Sequence, residues 1–211
     1  MPKNVKPKVP ADSTVRTRRA YFDCRFGQLH VRTAFPTTGG FDEHVTLFCL
    51  HPIDSSSRTF NRFLPLIADA RSVYAPDLPG CGESDPPPIG AGALSDLAGA
   101  VADLASDLRL KQIDLLGFRS GCAVAAELAR AKPELVRRLV LVAVTADEHL
   151  PRVAQPCLVM TIGRQSSGID AQRLGMPSTV QLVSGTDYAE DLFDAAPHTL
   201  AKQFADFLNR R

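Results

Sequence analysis

The chain has 211 residues, of which 45% are hydrophobic and 22% charged, with a formal net charge of +1. That length suits one domain with a substantial core, and the apolar content excludes disorder throughout. A near-neutral balance supplies no global field for nucleic acid or an anionic membrane, and no apolar run reaches the ~20 residues a spanning helix needs.

Residues 1–19 carry Lys3, Lys6, Lys8, Arg16, Arg18 and Arg19 against Asp12, with Pro2, Pro7 and Pro10 among them. They hold no hydrophobic stretch of the kind a secretory leader has. They read as a basic, flexible arm, solvated or docked on a partner subunit or an anionic surface, ahead of a single domain over residues 20–211.

Tyr21 to Cys24 and Gln28 to Phe35 read as two short strands joined at Arg25-Phe26-Gly27, and Pro36 to Glu43 as a loop. Val45 to Leu50 is a continuous apolar run, the pattern of a strand buried on both faces. A helix is expected over Ser55 to Ala70, with Phe60, Phe63, Leu64 and Ile67 on its inner side and Ser55-Ser56-Ser57 capping its start. Ser72 to Pro76 is another strand, followed by a turn-rich loop from Asp77 to Pro88.

Leu94, Leu97, Val101, Leu104 and Leu108 step by three and four, which marks an amphipathic helix. Gln112 to Leu116 is expected as a strand and Ser120 to Ala131 as a helix, ending near Pro133. Further strands are expected at Arg138 to Val144, Cys157 to Ile162 and Thr179 to Val183. A closing helix spans Pro197 to Leu208, with proline in its first turn and Leu200, Phe204, Phe207 and Leu208 inward. Strands alternating with helices define an α/β class, a mostly parallel sheet flanked by helices on both faces with right-handed crossovers.

Between the strand ending at Leu116 and the following helix lies Gly117-Phe118-Arg119-Ser120-Gly121. Strand, tight turn and helix in this order are the build of a nucleophile elbow, G-x-S-x-G, in which a strained turn lifts one side chain above the sheet. Both glycines are in register, but the lifted residue is Arg119. Its guanidinium stays protonated and has no usable lone pair. Cys24, Cys49, Cys81, Cys122 and Cys157 are odd in number and form no CxxC pair, so neither a disulfide framework nor a zinc site is expected, and a reducing cytoplasm is the default location.

These motifs resemble the α/β-hydrolase superfamily, over about Phe22 to Leu208. Asp77-Leu78-Pro79-Gly80-Cys81-Gly82-Glu83-Ser84 resembles the superfamily's D-x-P-G-x-G-x-S loop after the fourth strand. Leu50-His51-Pro52 is similar to the His-Gly pair that opens the oxyanion loop, and Asp194 to Pro197 with the helix to Phe207-Leu208 resembles the E-x-P…F-L ending. The resemblance implies an α/β-hydrolase fold. Only Thr145 to Gln155 stands where most members insert a helical cap, so no cap domain is expected.

The superfamily's chemistry uses a nucleophile, a histidine and an acid. The nucleophile position maps to Arg119. The usual acid loop, Gly163 to Gly168, has no carboxylate; Asp170 lies off register, and Asp147 and Glu148 fit only an alternative placement after the sixth strand. The stretch Gly185 to Phe193 has no histidine, and His198 falls on the final helix. The expectation is therefore a degenerate triad with no intact catalytic set and no cofactor or metal.

The remaining candidates surround the elbow. Arg119 reads either as an anchor for a carboxylate or phosphate or as a structural partner of Asp77 or Asp54. Ser120 reads as a helix cap rather than a displaced nucleophile, and Cys122 as buried rather than a reactive thiol. The N–H groups of Ile53 and Ser120 are placed to form an oxyanion hole, and His51 reads as a brace for its loop or as a relocated general base.

The favoured functional expectation is a non-hydrolytic homologue that binds a small anionic or acyl ligand, or a protein partner or second copy over its uncapped edge. The alternative is an atypical ester or thioester hydrolase, or an acid–base enzyme using Arg119 and His51.

Overall fold

A computed structural model of the chain describes residues 15–36, 44–144, 150–161, 180–184 and 192–210. Among these residues eight strands form one sheet in the order β1-β2-β4-β3-β5-β6-β7-β8. They are β1 (Val15–Cys24), β2 (Gly27–Pro36), β3 (Leu47–Leu50), β4 (Val73–Pro76), β5 (Ile113–Phe118), β6 (Val136–Val144), β7 (Cys157–Thr161) and β8 (Val180–Ser184). β2 pairs antiparallel with β1 and β4, and every other pairing is parallel.

Helices cover both faces, so the central strands β3, β5 and β7 are buried at every residue. This explains why they read as unbroken apolar runs instead of alternating ones. On one face α2 (Leu94–Asp107) and α3 (Gly121–Ala131) bury Leu97, Val101, Leu104, Cys122, Val124 and Leu128 against the sheet. On the other, α1 (Leu64–Ile67), α4 (Leu192–Ala195) and α5 (Pro197–Leu208) pack Phe63, Phe193, Phe204 and Leu208. Phe193 is the hub there. Its ring centroid lies 4.8 Å from Phe60, 5.0 Å from Phe63 and 5.1 Å from Phe118, each at a steep interplanar angle, the edge-to-face geometry that aromatic quadrupoles favour.

The structure moves three sequence expectations. The arm expected over residues 1–19 gives up Val15–Arg19 to β1, where Val15 pairs with Pro36 and Arg19 with Arg32; residues 1–14 lie outside the described residues. The helix expected over Ser55 to Ala70 is split into a 3-10 turn at Ser57–Phe60 and the four-residue α1. Pro65 is the cause, because it lacks an N–H and is tolerated only in a helix's first turn. The short helix α4 was not foreseen, being too brief to show a period.

Twelve residues, 145–156, join β6 to its parallel neighbour β7, close to the minimum for a parallel crossover, and no cap domain is inserted there. Its described part hugs the core. Leu150 and Val153 are buried with the α2–α3 cluster, and the Gln155 amide donates to the carbonyl of Ala129 at 3.1 Å, satisfying an orphan acceptor at the end of α3.

The lower edge of the sheet is closed by charge. Asp114, near the start of β5, is fully buried and accepts two hydrogen bonds from Arg137 at 2.9 and 2.7 Å. Buried Arg71 adds an ion pair at 3.3 Å and also donates to Asn209 Oδ1. Arg137 and Arg138 then donate to the carbonyls of Leu208 and Phe207 at 2.7 and 2.9 Å. The end of α5, where carbonyls lack helical partners and the dipole is negative, is thereby held to the sheet. Replacing Asp114 by alanine strands two guanidinium groups, so Asp114→Ala is expected to cost ~3–5 kcal/mol, read as a lowered midpoint in urea unfolding at pH 7.

Candidate functional site

The site is built where β5 turns into α3. Arg119 stands at the apex with φ +51°, a left-handed conformation that a non-glycine residue adopts only when its surroundings impose it. The imposing contacts are visible at the two glycines. A Cβ on Gly121 would lie 2.4 Å from the carbonyl oxygen of Leu50 and 2.7 Å from that of His51; one on Gly117 would lie 2.7 Å from Cys122 Cα. The helix start is thus pressed against the end of β3 and back onto its own strand, and the chain between must bend sharply. A second left-handed residue, Ala143 (φ +62°), sits at a bulge in β6 beside it. The carbonyl of Val142 there accepts from the Arg119 N–H at 2.9 Å. Bulges of this kind re-aim side chains at the rim of a site.

The structure brings His51, Ile53, Arg119 and Ser120 together around this bend, with roles that differ in part from expectation. The Ile53 N–H donates to Ser120 Oγ at 2.9 Å. That N–H is therefore not presented to a ligand, and the expected pair of oxyanion donors is closed by the serine side chain. Nor does Ser120 cap α3 through its hydroxyl. A capping residue has extended backbone angles, whereas Ser120 is already helical at φ −60°, ψ −20°, which turns its Oγ toward the Ile53 loop. The turn from Pro52 to Ser55 is held further by Cys81 Sγ, which donates to the Ile53 carbonyl at 2.9 Å.

His51 is fully buried. Its Nδ1 lies 2.7 Å from the carbonyl of Pro52, and its Nε2 lies 2.8 Å from the N–H of Leu78. Nδ1 must carry the proton and Nε2 must accept, so both nitrogens are engaged and the ring joins the Pro52 loop to the Asp77 loop. Burial lowers its pKa, against the hydrogen bond to Pro52. The ring is neutral near pH 7 and leaves no lone pair for proton transfer at the apex.

The Asp77–Ser84 loop is pinned just as firmly. Asp77 accepts from the N–H groups of Ser57 and Glu83 at 2.6 and 2.9 Å, and pairs with His30 Nδ1 at 2.9 Å. Ser84 Oγ donates to the Asp77 carbonyl at 2.7 Å. Asp77 is thus committed, and among the described residues Arg119 forms no ion pair with Asp77, Asp54 or any other carboxylate. The Arg119 side chain is exposed instead. It borders a cavity of about 280 Å³ lined also by Pro52, Asp54, Ser55, Thr59 and Phe118.

The other candidates stand apart from that cavity or beyond description. Cys122 is buried, its thiol donating to the carbonyls of Gly117 and Val142. His198 is exposed in the first turn of α5. Asp147, Glu148, Asp170, Gly163 to Gly168 and 185–191 lie outside the described residues. Among the described residues, no group of His, Cys, Asp and Glu is arranged to hold a metal ion, and no helix is long and apolar enough to cross a membrane. Sequence reasoning missed Asp54, Ser55 and Thr59 as cavity residues. They follow His51 closely, but only the turn at Pro52 shows which way they face.

Comparison with known proteins agrees with this geometry. A family model described as "Alpha/beta hydrolase family" matches residues 47–210, and the chain belongs to that family. An uncharacterized hydrolase of Bacillus subtilis (strain 168), YugF, is 33% identical over 96 residues, 46% of this chain and 35% of that protein. A dihydrolipoyllysine-residue acetyltransferase component of an acetoin cleaving system from Cupriavidus necator is 34% identical over 112 residues, 53% of this chain and 29% of that protein. The aligned part is about a third of such relatives' length. Among solved structures, a naproxen esterase from Bacillus subtilis superposes with a TM-score of 0.76 at 16% identity, covering 92% of each chain. Cfl2 from Burkholderia cenocepacia gives 0.74 at 18% identity, covering 96% of this chain and 98% of that one. Identity this low speaks for the fold alone.

Two outcomes test the site's construction. Gly121→Ala drives a Cβ into backbone carbonyls that cannot rotate away, and is expected to cost about 2–3 kcal/mol or more, seen as a lowered thermal midpoint. The second concerns pH. Burial opposes the charge on Asp77, but the N–H groups of Glu83 and Ser57 and the His30 ring outweigh it and hold its pKa below the usual carboxylate value. Stability from Asp77 is then complete above about pH 4 and is lost as pH falls through the folded value. Asp77→Asn is therefore expected to be less stable than the parent at pH 7, with the gap narrowing toward pH 3 in urea titrations.

Proposed function

We propose that this chain is a non-hydrolytic member of the α/β hydrolase family that binds a small anionic or acyl ligand in the cavity beside the elbow, with Arg119 as the anchor. The observation that carries the reading is a guanidinium at the apex, held there by a backbone built for that position and left without a carboxylate among the described residues. Arginine presents a planar fork that meets a carboxylate or phosphate with two parallel hydrogen bonds. It cannot attack a carbonyl carbon.

Three further features support the same reading. The hydroxyl of Ser120 is occupied by the Ile53 N–H, so the nearest serine is held down beside the apex. His51 has both nitrogens engaged. The stretch where a catalytic histidine is expected, Gly185 to Phe193, contains none. The YugF protein is named a hydrolase and the Bacillus structure an esterase; on this proposal the fold is shared and the hydrolytic chemistry is not. The uncapped edge also leaves the cavity open to a second copy or another protein, with the exposed Ile53 side chain at its margin.

A fluorophosphonate probe and short p-nitrophenyl esters test the chemistry. The expected result is no labelling and no turnover above a heat-denatured control. Turnover that disappears in Ser120→Ala overturns the proposal. The anchor is tested by titrating acetate and short-chain acyl carboxylates into the parent and Arg119→Ala, following amide chemical shifts. Shifts clustered at residues 52–59 and 118–121 that vanish in Arg119→Ala are expected; equal binding by the variant sinks the role given to Arg119.

A further inference from the structure

A second cavity, about 390 Å³, opens on the outer part of the sheet, far from the elbow in sequence and built from different elements. Its walls include Thr17, Arg19 and Arg32 from β1 and β2, and Asn61, Leu64 and Pro65 from the segment entering α1. Arg19 and Arg32 are direct cross-strand partners in the antiparallel pair, so their side chains leave the sheet on the same face. Arg18 adjoins the same opening.

Two like charges placed directly opposite are unfavourable in a sheet. Among the described residues neither arginine forms an ion pair, and Arg32 Nε is buried with no hydrogen-bond partner. Glu83 is engaged elsewhere, holding Tyr21 OH at 3.1 Å and Arg58 at 3.3 Å. Edge protection does not explain the arrangement. Charge on an outer strand discourages strand addition, and that accounts for arginines on β1. Arg32 stands on β2, which is paired on both sides.

A buried guanidinium N–H without an acceptor is costly, and a cross-strand pair of cations adds to that cost. A dianion between them offsets the like-charge cost. It neutralises the pair through the outer guanidinium nitrogens, with the Thr17 hydroxyl and Asn61 amide as neutral donors at the rim. The apolar wall of Leu64 and Pro65 gives an organic substituent a surface to lie on. We propose that this cavity binds the phosphate group of a small phosphate monoester, through Arg19 and Arg32, independently of the cavity beside Arg119.

Thermal melts of the full chain in inorganic phosphate, phenyl phosphate and ionic-strength-matched chloride test this, using the parent, Arg32→Gln, Arg19→Gln and Arg119→Ala. Both phosphates are expected to raise the midpoint above matched chloride, with half-saturation at lower phenyl phosphate than inorganic phosphate. Arg119→Ala, which removes any phosphate contact at the elbow, is expected to keep most of the rise. Arg32→Gln and Arg19→Gln are expected to need at least fivefold more ligand. Because each relieves a like-charge pair, they are also expected to melt above the parent in phosphate-free, low-salt buffer and below it at saturating phosphate. That crossover shows that a lost response comes from lost binding and not from misfolding. Three results overturn the proposal: no rise beyond matched chloride, a rise abolished by Arg119→Ala but kept by Arg32→Gln, or phenyl phosphate binding more weakly than inorganic phosphate.

Discussion

The approach of Gly121 to the carbonyls of Leu50 and His51 governs everything above the sheet. Because α3 begins against the end of β3, β5 must reverse within one residue, and that residue takes a positive φ whatever its side chain. A left-handed non-glycine residue costs on the order of 1–3 kcal/mol, and Arg119 and Ala143 both bear that cost within one hydrogen bond of each other. Ordinary core packing needs no such conformation at either place. A strand–turn–helix bend of this kind lifts one side chain above the sheet, and here that side chain is Arg119.

Charge is handled differently at the two ends of the sheet, and the difference is physical. At the lower end Asp114 is inaccessible to water, so it must be matched inside the protein, and Arg71 and Arg137 match it. Helix α5 inherits its position from that cluster, because Arg137 and its neighbour Arg138 hold its last carbonyls. At the upper end Arg119 is in solvent, which costs little, so no internal carboxylate is required. Asp77 lies close in the family pattern but is consumed by backbone N–H groups and His30. Its work is to fix the loop that His51 then ties to the turn at Pro52. A buried carboxylate, a neutral imidazole and a tight glycine together set the rim against which Arg119 is displayed.

Much of this was legible in the sequence, for reasons that separate local from nonlocal signals. Strands buried on both faces announce themselves as apolar runs, and α2 and α5 announce themselves by spacing. Gly117 and Gly121 mark the bend because no other residue fits there. What escaped depended on partners distant in the chain. The start of β1 at Val15 is set by pairing with Pro36, in a segment whose arginines and prolines otherwise suggest a loose arm. The role of Ser120 depends on one pair of backbone angles, since a slightly more extended residue caps the helix and a helical one meets Ile53. The arginine pair across β1 and β2 was visible only once register was known, because residues 19 and 32 are unremarkable apart. Residues 163–168, which contain no carboxylate, and 185–191, which contain no histidine, lie outside the described residues.

The missing lid limits what the upper cavity can achieve. An exposed ion pair is worth roughly 0–1 kcal/mol, because water competes for both partners and the local dielectric stays high. A guanidinium alone on an open edge therefore holds a bare carboxylate only weakly, however good its fork geometry. Useful affinity requires either further contacts or the removal of water. Phe118 and Pro52 offer the first as apolar walls, and Ser55 and Thr59 add hydroxyls, although those two already bond to each other at 2.9 Å. Asp54, on the same rim, repels any second negative group. A ligand that carries one anionic head and an apolar body satisfies these constraints, while a polyanion does not. The twelve residues between β6 and β7 are too few for a cap domain, so on the proposed reading exclusion of water comes from a body laid across the opening. The more tightly a ligand is found to bind at Arg119, the stronger the case that a second polypeptide completes the site.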